Sequence, residues 1–570
     1  MHRDDLSIVL CGQAGQGVQT VEFLLTRLLK LAGYHVFATK EYMSRVRGGL
    51  NSTTLRVSHR EVAAHVDRMD VLVPLSGGAV EHVAKRISPE TVVLGERAVI
   101  GDGPALQSCR VLDVPFTKLA QEIGNVLYSN SVAVGAVAGV LGLDLERVKD
   151  HVRRFFAGKQ PSIMDDNARA VQAGYKAVES LGVGELSLGS VSDAGTKDRL
   201  LLDGAEAVGL GAIAGGCNFV SSYPMSPSTP VLTFLARHGD EFGVVVEQAE
   251  DEIAAINMAI GAWYAGGRAL VTTSGGGFAL MTEGLSLAGM LETPVVIHLA
   301  QRPGPATGLP TRTEQGDLEL ALYAGHGEFP RIILAPGTLE DGFHLARQAF
   351  NLADKYQVPV FILTDQYYID SYYDAPAFDL SKVAVEKHVV KTAADYRRYV
   401  IAQDGVSPRG VPGHGEGLVV VDSDEHDEEG HITEDLDLRV RMVNKRLAKG
   451  ASLTADIVPP VLIGPENYKN LVICWGSTYH AVKEAVERLG RDDTAILHYR
   501  QVYPLHDQTA DYMGRAEHTI VVEGNATGQF AKLIELHAGV PADELLLKYN
   551  GLNFSVEEVA DGLKRLIKDD

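Results

Sequence analysis

The sequence predicts an α/β protein of three doubly wound domains with mainly parallel sheets. Three observations predict it. Short apolar runs of strand length alternate with amphipathic stretches of helical period almost throughout, as strands joined by crossover helices require. Glycine-rich turns stand where such a run gives way to a helical stretch, as in "SIVLCGQAGQGVQT" and "ALVTTSGGGF". At 570 residues the chain is also too long for one hydrophobic core, so it divides.

The first domain spans residues 1–190. Its strand "SIVLCG" turns into the helix "VQTVEFLLTRLLKLAG". Gly12, Gly15 and Gly17 let backbone N–H groups converge at the helix N-terminus, which suits an anion such as a nucleotide-like cofactor. A tight turn that needs small residues for packing is the other reading. The spacing is G-x-x-G-x-G, and the dinucleotide fingerprint is G-x-G-x-x-G. The following "ATKEY", with Glu41, does not clearly end a second strand. "SRVRGG" adds Arg45 and Arg47 as further anion contacts, or as a solvated loop.

The second domain, 200–400, follows the polar linker "SVSDAGTKDR". Its stretch "SSYPMSPSTP", residues 221–230, reads as neither helix nor inner strand, because proline fixes φ and removes a donor. "GVVVE", "ALVTT" and "PVVIHLA" read as strands. The loops after them lie at the carboxyl ends of parallel strands, where doubly wound domains bind ligands. The proline-rich loop is then one wall of a cleft, and its prolines hold Ser226, Ser228 and Thr229 at small entropic cost. "SGGGF", 274–278, reads as a loop that either lines this cleft or makes a tight turn.

An irregular lid or linker, 401–455, comes next. Within it "DSDEHDEEGHITED" carries His426 and His431 at spacing five on a glycine-broken loop. That is not a helical metal-binding pair, and an ordered lid or interface segment is favoured. The helix "RVRMVNKRLAKG" leads to the last domain, 456–570, with strands "NLVICW", "TAILHY" and "HTIVVE".

Fifty-two basic against 74 acidic side chains give a net charge of −22, which argues against nucleic acid or an anionic membrane as partner. Cys11, Cys109, Cys217 and Cys474 are widely separated, without a cluster signature. They read as reduced thiols of a cytoplasmic protein. "MHRDDLSIVLCG" has no apolar signal region, and no apolar run reaches membrane length.

Several motifs, in order, resemble the 2-oxoacid:ferredoxin oxidoreductase family, and most closely its large subunit with fused γ and α parts, as in the 2-oxoglutarate enzymes. "GQAGQGVQT" and "RVRGG" resemble the γ part. "SSYPMSPSTP" resembles the family's Tyr-Pro-Ile-Thr-Pro-Ser-Thr loop, with Met225 and Ser226 replacing Ile and Thr. "EQAEDEIAAINMAIGA" resembles its Glu-bearing helix start, and "RPGPATGLPTRTEQGDL" its substrate loop. "DSDEHDEEGHITED" resembles the fused subunit. The last block resembles a transketolase-type C-terminal domain. The three domains would then be γ-type, thiamine pyrimidine-binding and transketolase C-terminal-like.

The resemblance implies a thiamine diphosphate enzyme that decarboxylates a 2-oxoacid, passes electrons through iron–sulfur to ferredoxin, and forms an acyl-CoA. The chain has no Gly-Asp-Gly stretch followed by a helix and an Asn; "GDGPALQ" at 101–107 only starts like one. A smaller β subunit would therefore supply the diphosphate and Mg2+ site and a [4Fe-4S] cluster, in a dimer of αβ heterodimers. Glu250 takes the family's position for the carboxyl group against the aminopyrimidine nitrogen. Glu247, Asp251 and Glu252 compete with it as first-turn acids. Tyr223 and Pro224 would line the cofactor. Arg302, Thr311 and Ser226 would contact the substrate, a guanidinium fork suiting its carboxylate. Gly12, Gly15, Gly17 and Arg47 form a candidate CoA or anion loop. No metal site is assigned to this chain. A pyruvate or branched-chain oxoacid enzyme, a NAD-linked dehydrogenase and a non-catalytic scaffold stand as alternatives.

Overall fold

The computed structural model describes residues 5–43, 49–181, 186, 188 and 195–567. They fall into two compact units. The first holds the residues up to Leu202 with Ser371–Ala377 and Ser555–Glu557. The second holds Asp203–Asp370, Phe378–Phe554 and the chain from Glu558.

An eight-stranded sheet organises the first unit. Its order is Arg110–Asp113, Val92–Gly95, Val71–Pro74, Asp5–Gln13, Leu50–Ser58, His35–Glu41, Tyr372–Ala375 and Leu200–Asp203. The first four strands run parallel. Leu50–Ser58 is antiparallel to both of its neighbours. Glu41 thus does end a strand, which "ATKEY" had not made clear. Because Leu50–Ser58 stands between that strand and Asp5–Gln13, the adjacent βαβ pair of a dinucleotide site does not form.

Backbone conformation and, at Gly17, close packing require glycine in this turn. Gly15 and Gly17 have φ of 85°, open to glycine at little cost. A Cβ on Gly17 would stand 1.9 Å from Asn130 Nδ2. Three loop amides are already used: Gln13 N donates to Ser76 Oγ, Ala14 N to Gly49 O and Gln16 N to Gln13 O. Fewer donors remain for an anion. Arg45 and Arg47 lie outside the described residues.

Two sheets share the second unit. Seven strands run in the order Gln501–Tyr503, Ile332–Leu334, Pro359–Asp365, Val295–Gln301, Ala269–Thr273, Phe219–Ser222 and Val245–Gln248. All neighbours are parallel except the first pair. Five more form the order Val461–Ile463, Thr494–Tyr499, Asn470–Trp475, His518–Glu523 and Glu544–Leu547, antiparallel only at the first pair. "NLVICW", "TAILHY" and "HTIVVE" are thus strands as the sequence indicates.

The sequence separates 200–400 from 456–570, whereas the structure joins their sheets in one unit. Gln501–Tyr503 leaves the last block to extend the seven-stranded sheet. Gln315 ties the same blocks together: its Nε2 donates to Trp475 O at 2.9 Å, and Gly524 N donates to its Oε1 at 2.8 Å. Gln315→Ala would leave the Gly524 N–H unpaired, at a cost of about 1–3 kcal/mol, while Trp475 O keeps the hydrogen bond from the Thr478 hydroxyl. A thermal-denaturation midpoint lowered by several degrees is the expected result.

Residues 401–435 carry only isolated bridges before the helix Leu436–Ser452. Buried ion pairs fasten this region. Arg409 and Arg268 both pair with Asp354, at 2.5 and 2.8 Å. His426 is fully buried against Tyr399, ring centroids 3.9 Å apart, while His431 is exposed. Among the described residues no helix is long and apolar enough to cross a membrane.

Candidate active site

Four strands of the seven-stranded sheet deliver their carboxyl-end loops to one place. Phe219–Ser222 leads into the proline-rich loop, and two serines pin the junction. Ser222 Oγ donates to Thr272 O and Ser221 Oγ to Ala255 O, both at 2.6 Å. The loop turns on Met225 O, which accepts from Ser228 N at 2.9 Å and Ser228 Oγ at 2.8 Å. Residues 221–230 are therefore not all loop. Ser221 and Ser222 end a strand, and Thr229 and Pro230 open the helix Thr229–Phe242. Proline fits there because a first-turn N–H has no helical acceptor to lose. Tyr223 and Ser226 are exposed and Pro224 is half-buried.

Arg302 follows the strand Val295–Gln301. Its Nη1 donates to Ser226 O at 2.6 Å, so two candidate substrate residues meet. Burial lowers the guanidinium's proton affinity, and the charge of Asp317 works against that. Thr311 lies half-buried on the same loop.

The strand Val245–Gln248 leads into the helix Glu252–Tyr264, capped by Asp251, whose side chain accepts from Ala254 N at 2.8 Å. Glu250 precedes the helix and is exposed. Glu252 is 3% exposed. It shares the helix face of Ala255, Ile256, Ala259, Ile260 and Trp263, the i, i+3, i+4, i+7 stripe that turns inward. Its Oε1 is buried without a hydrogen-bond partner.

Three glycines bind this arrangement together. "SGGGF" is the start of the helix Gly275–Leu280, not a loop. A Cβ on Gly277 would stand 2.7 Å from Glu252 Oε1 and 2.2 Å from Thr273 Oγ1. A Cβ on Gly275 would stand 2.4 Å from both carboxylate oxygens of Asp317. Between them, Gly276 faces Ala306 O and Met225 Sδ, 3.6 and 4.0 Å from its Cβ position. The triglycine thus carries a buried carboxyl group at each end, with the proline-rich loop and the Arg302 loop over its middle. Only glycine makes that approach possible.

Asp317 was not singled out by the sequence. Burial, then the nearby Glu314, push its carboxyl up to about 7, with Arg302 opposing. Its Oδ2 is buried and unpartnered. Burial also raises Glu314.

Comparison with known proteins gives the family. The family profile "Pyruvate flavodoxin/ferredoxin oxidoreductase, thiamine diP-bdg" matches residues 210–445, and "Pyruvate ferredoxin/flavodoxin oxidoreductase" matches residues 7–177. The chain is 33% identical to the 2-oxoacid:ferredoxin oxidoreductase subunit alpha of Sulfolobus sp, over 99% of this chain and 97% of that one. It is 27% identical to the 2-oxoglutarate oxidoreductase subunit KorA of Mycobacterium tuberculosis, over 98% and 90%. A solved 2-oxoglutarate:ferredoxin oxidoreductase from Magnetococcus marinus, with 2-oxoglutarate, coenzyme A and succinyl-CoA bound, superposes with a TM-score of 0.93 at 29% identity, over 100% of both chains. Fold and family profile together define a thiamine-binding oxidoreductase. The chain belongs to the 2-oxoacid:ferredoxin oxidoreductase family and matches its alpha subunits.

Proposed function

We propose that the chain is the alpha subunit of a 2-oxoglutarate:ferredoxin oxidoreductase, which converts 2-oxoglutarate and CoA to succinyl-CoA and CO2 while reducing ferredoxin. The observation that carries this reading is the buried Glu252, with a free carboxylate oxygen, at the mouth of a side-chain-free triglycine. The aminopyrimidine half of thiamine diphosphate needs a carboxyl group against its ring nitrogen in a water-poor pocket. Glu252, Thr273 and Gly275–Gly277 fit it, with Met225 beside Gly276. We give Glu252 the role that the resemblance assigned to Glu250. When bound, thiamine diphosphate supplies the carbon nucleophile that attacks the keto carbon and accepts the electrons released on decarboxylation.

This chain's own residues bind and orient. Glu252 holds a proton at its free oxygen against the ring nitrogen. Arg302, set by Ser226 O, receives the C1 carboxylate of the 2-oxoacid. Tyr223, Ile253 and Leu280, from three of the elements that build the site, are exposed apolar side chains at 40%, 48% and 50%. A β subunit carrying the diphosphate, Mg2+ and [4Fe-4S] site is the partner we assign to that face. CoA and ferredoxin complete the reaction. The structures and names of the relatives support 2-oxoglutarate over pyruvate, though several relatives are generic 2-oxoacid enzymes.

Arg302→Lys keeps the charge but loses the two-point geometry. Loss of one charge-assisted contact, about 1.5–3 kcal/mol, lowers kcat/KM about 10- to 100-fold. Steady-state kinetics of the purified complex test this. An equal loss for 2-oxoglutarate and pyruvate places Arg302 on the shared C1 carboxylate. Loss confined to 2-oxoglutarate would put it on the distal one. Wild-type kcat/KM favouring pyruvate would reject the substrate assignment.

A further inference from the structure

Asp317 stands at the N-cap position of the helix Leu318–Tyr323, yet its side chain makes no capping hydrogen bond. An aspartate there ordinarily caps; this one leaves its carboxyl free of the helix end. Its backbone N–H donates to Gln301 Oε1 at 3.0 Å, and Gln301 is fixed in turn by donating Nε2 to Thr364 O at 3.1 Å. That anchors Asp317 beside the residue that precedes Arg302. Its carboxyl lies flat on Gly275, where no side chain intervenes.

No hydrogen bond joins Asp317 to Arg302. Asp317 Oδ2 and Arg302 Nε are each buried without a partner. A structural ion pair would have closed on itself; this one leaves an acceptor and a donor open. The two charges nevertheless act on each other. The other groups around Asp317 are Glu314 on its own loop, Glu252 at the far end of the triglycine, and Glu319, paired with Lys532 of the helix Gln529–Ala538 at 2.8 Å. Among the described residues, Arg302 is the positive charge that acts on Asp317, and Glu314 the like charge.

We propose that Asp317 is a positioning residue that works as a neutral acid: protonated, it leaves the charge of Arg302 to the substrate carboxylate, and ionised, it competes for that charge. The inference rests on the functional reading above. Ionisation occurs in the neutral range, because burial and Glu314 lift the carboxyl to about 7. Substrate affinity then falls as pH rises, since the ionised form of Asp317 is the competing one.

The test uses the complex with its β subunit. KM for the 2-oxoacid, at saturating CoA, is expected to rise about tenfold between about pH 6 and about pH 8, with a much smaller change in kcat; a tenfold step is one pK unit of coupling. In Asp317→Asn, which imitates the protonated form, KM stays low and flat over that interval. Asp317→Ser, also uncharged, replaces it if the amide variant does not fold. Infrared difference spectra of the substrate-free chain supply a readout without turnover. A protonated-carboxyl band that disappears on raising the pH through about 7, and is absent from Asp317→Asn, is expected. The same KM rise in the variants as in the wild type, or no such band, overturns the proposal. A wild-type complex that turns over no 2-oxoacid would instead overturn the functional reading, whatever the infrared titration gives.

Discussion

Glu252→Gln should abolish nearly all turnover in the assembled enzyme. The amide cannot hold a proton against the cofactor's ring nitrogen as a carboxyl group does. General acid–base assistance of this kind is worth about 10²- to 10⁴-fold, and that is the expected fall in 2-oxoacid-dependent ferredoxin reduction. Glu250→Gln is the control, and it should leave the rate within a few-fold, because Glu250 is exposed ahead of the helix and Glu252 is not. Cofactor should still bind to Glu252→Gln, since the diphosphate is assigned to the β subunit. Thiamine content of the purified complex measures that. A large loss in Glu250→Gln with Glu252→Gln near wild type would return the role to Glu250.

Glu292→Ala should be the most destabilising substitution. Glu292 is 1% exposed, with Lys445 Nζ and Lys449 Nζ each 2.6 Å from its carboxylate oxygens. Arg398 donates to its backbone O at 2.7 Å. Burial alone would raise the Glu292 pKa, but Lys449, Lys445 and Arg398 outweigh it and hold the carboxyl well below its usual range. Removing the carboxylate strands two buried ammonium groups, and breaking such a pair costs about 3–5 kcal/mol. The folded pKa is depressed, so this stabilisation is present above about 4.3, the unfolded value, and is lost as pH falls below it. A thermal midpoint lowered sharply near neutrality, with the gap to wild type closing in acid, is the expected result. Replacing Glu292, Lys445 and Lys449 together by Met should recover much of the loss. An unchanged midpoint for Glu292→Ala would mean that the cluster is solvated.

Much of this was legible in the sequence. Strand-length apolar runs and helical stripes depend on local burial, so "NLVICW" and "RVRMVNKRLAKG" could be read directly. Arg302 could be placed after the strand "PVVIHLA", and the family resemblance nominated it and Ser226 as substrate contacts. What was missed depends on phase and on distant partners. The resemblance put the cofactor carboxyl at Glu250, whereas the stripe through Ala255, Ile256 and Ala259 has Glu252 in phase, and the proposed role follows that stripe. Periodicity alone shows that Glu252 is the acid in phase with the buried stripe. Asp317 gave none, because an acid before a short helix reads as a cap. Nor could local pattern show that Gln501–Tyr503 joins the sheet of another block, since edge pairing is decided between segments far apart in the chain.

On the proposed function, this chain provides half of a thiamine-dependent 2-oxoacid site and a β subunit the rest. Ferredoxin reduction by the purified chain, alone and co-purified with that subunit, tests it most directly. The account predicts no 2-oxoacid-dependent reduction by the chain alone. It predicts CoA-dependent reduction by the complex, with CO2 release and 2-oxoglutarate preferred. Turnover by the chain alone, or a thiamine-loaded complex inert toward every 2-oxoacid, would contradict it.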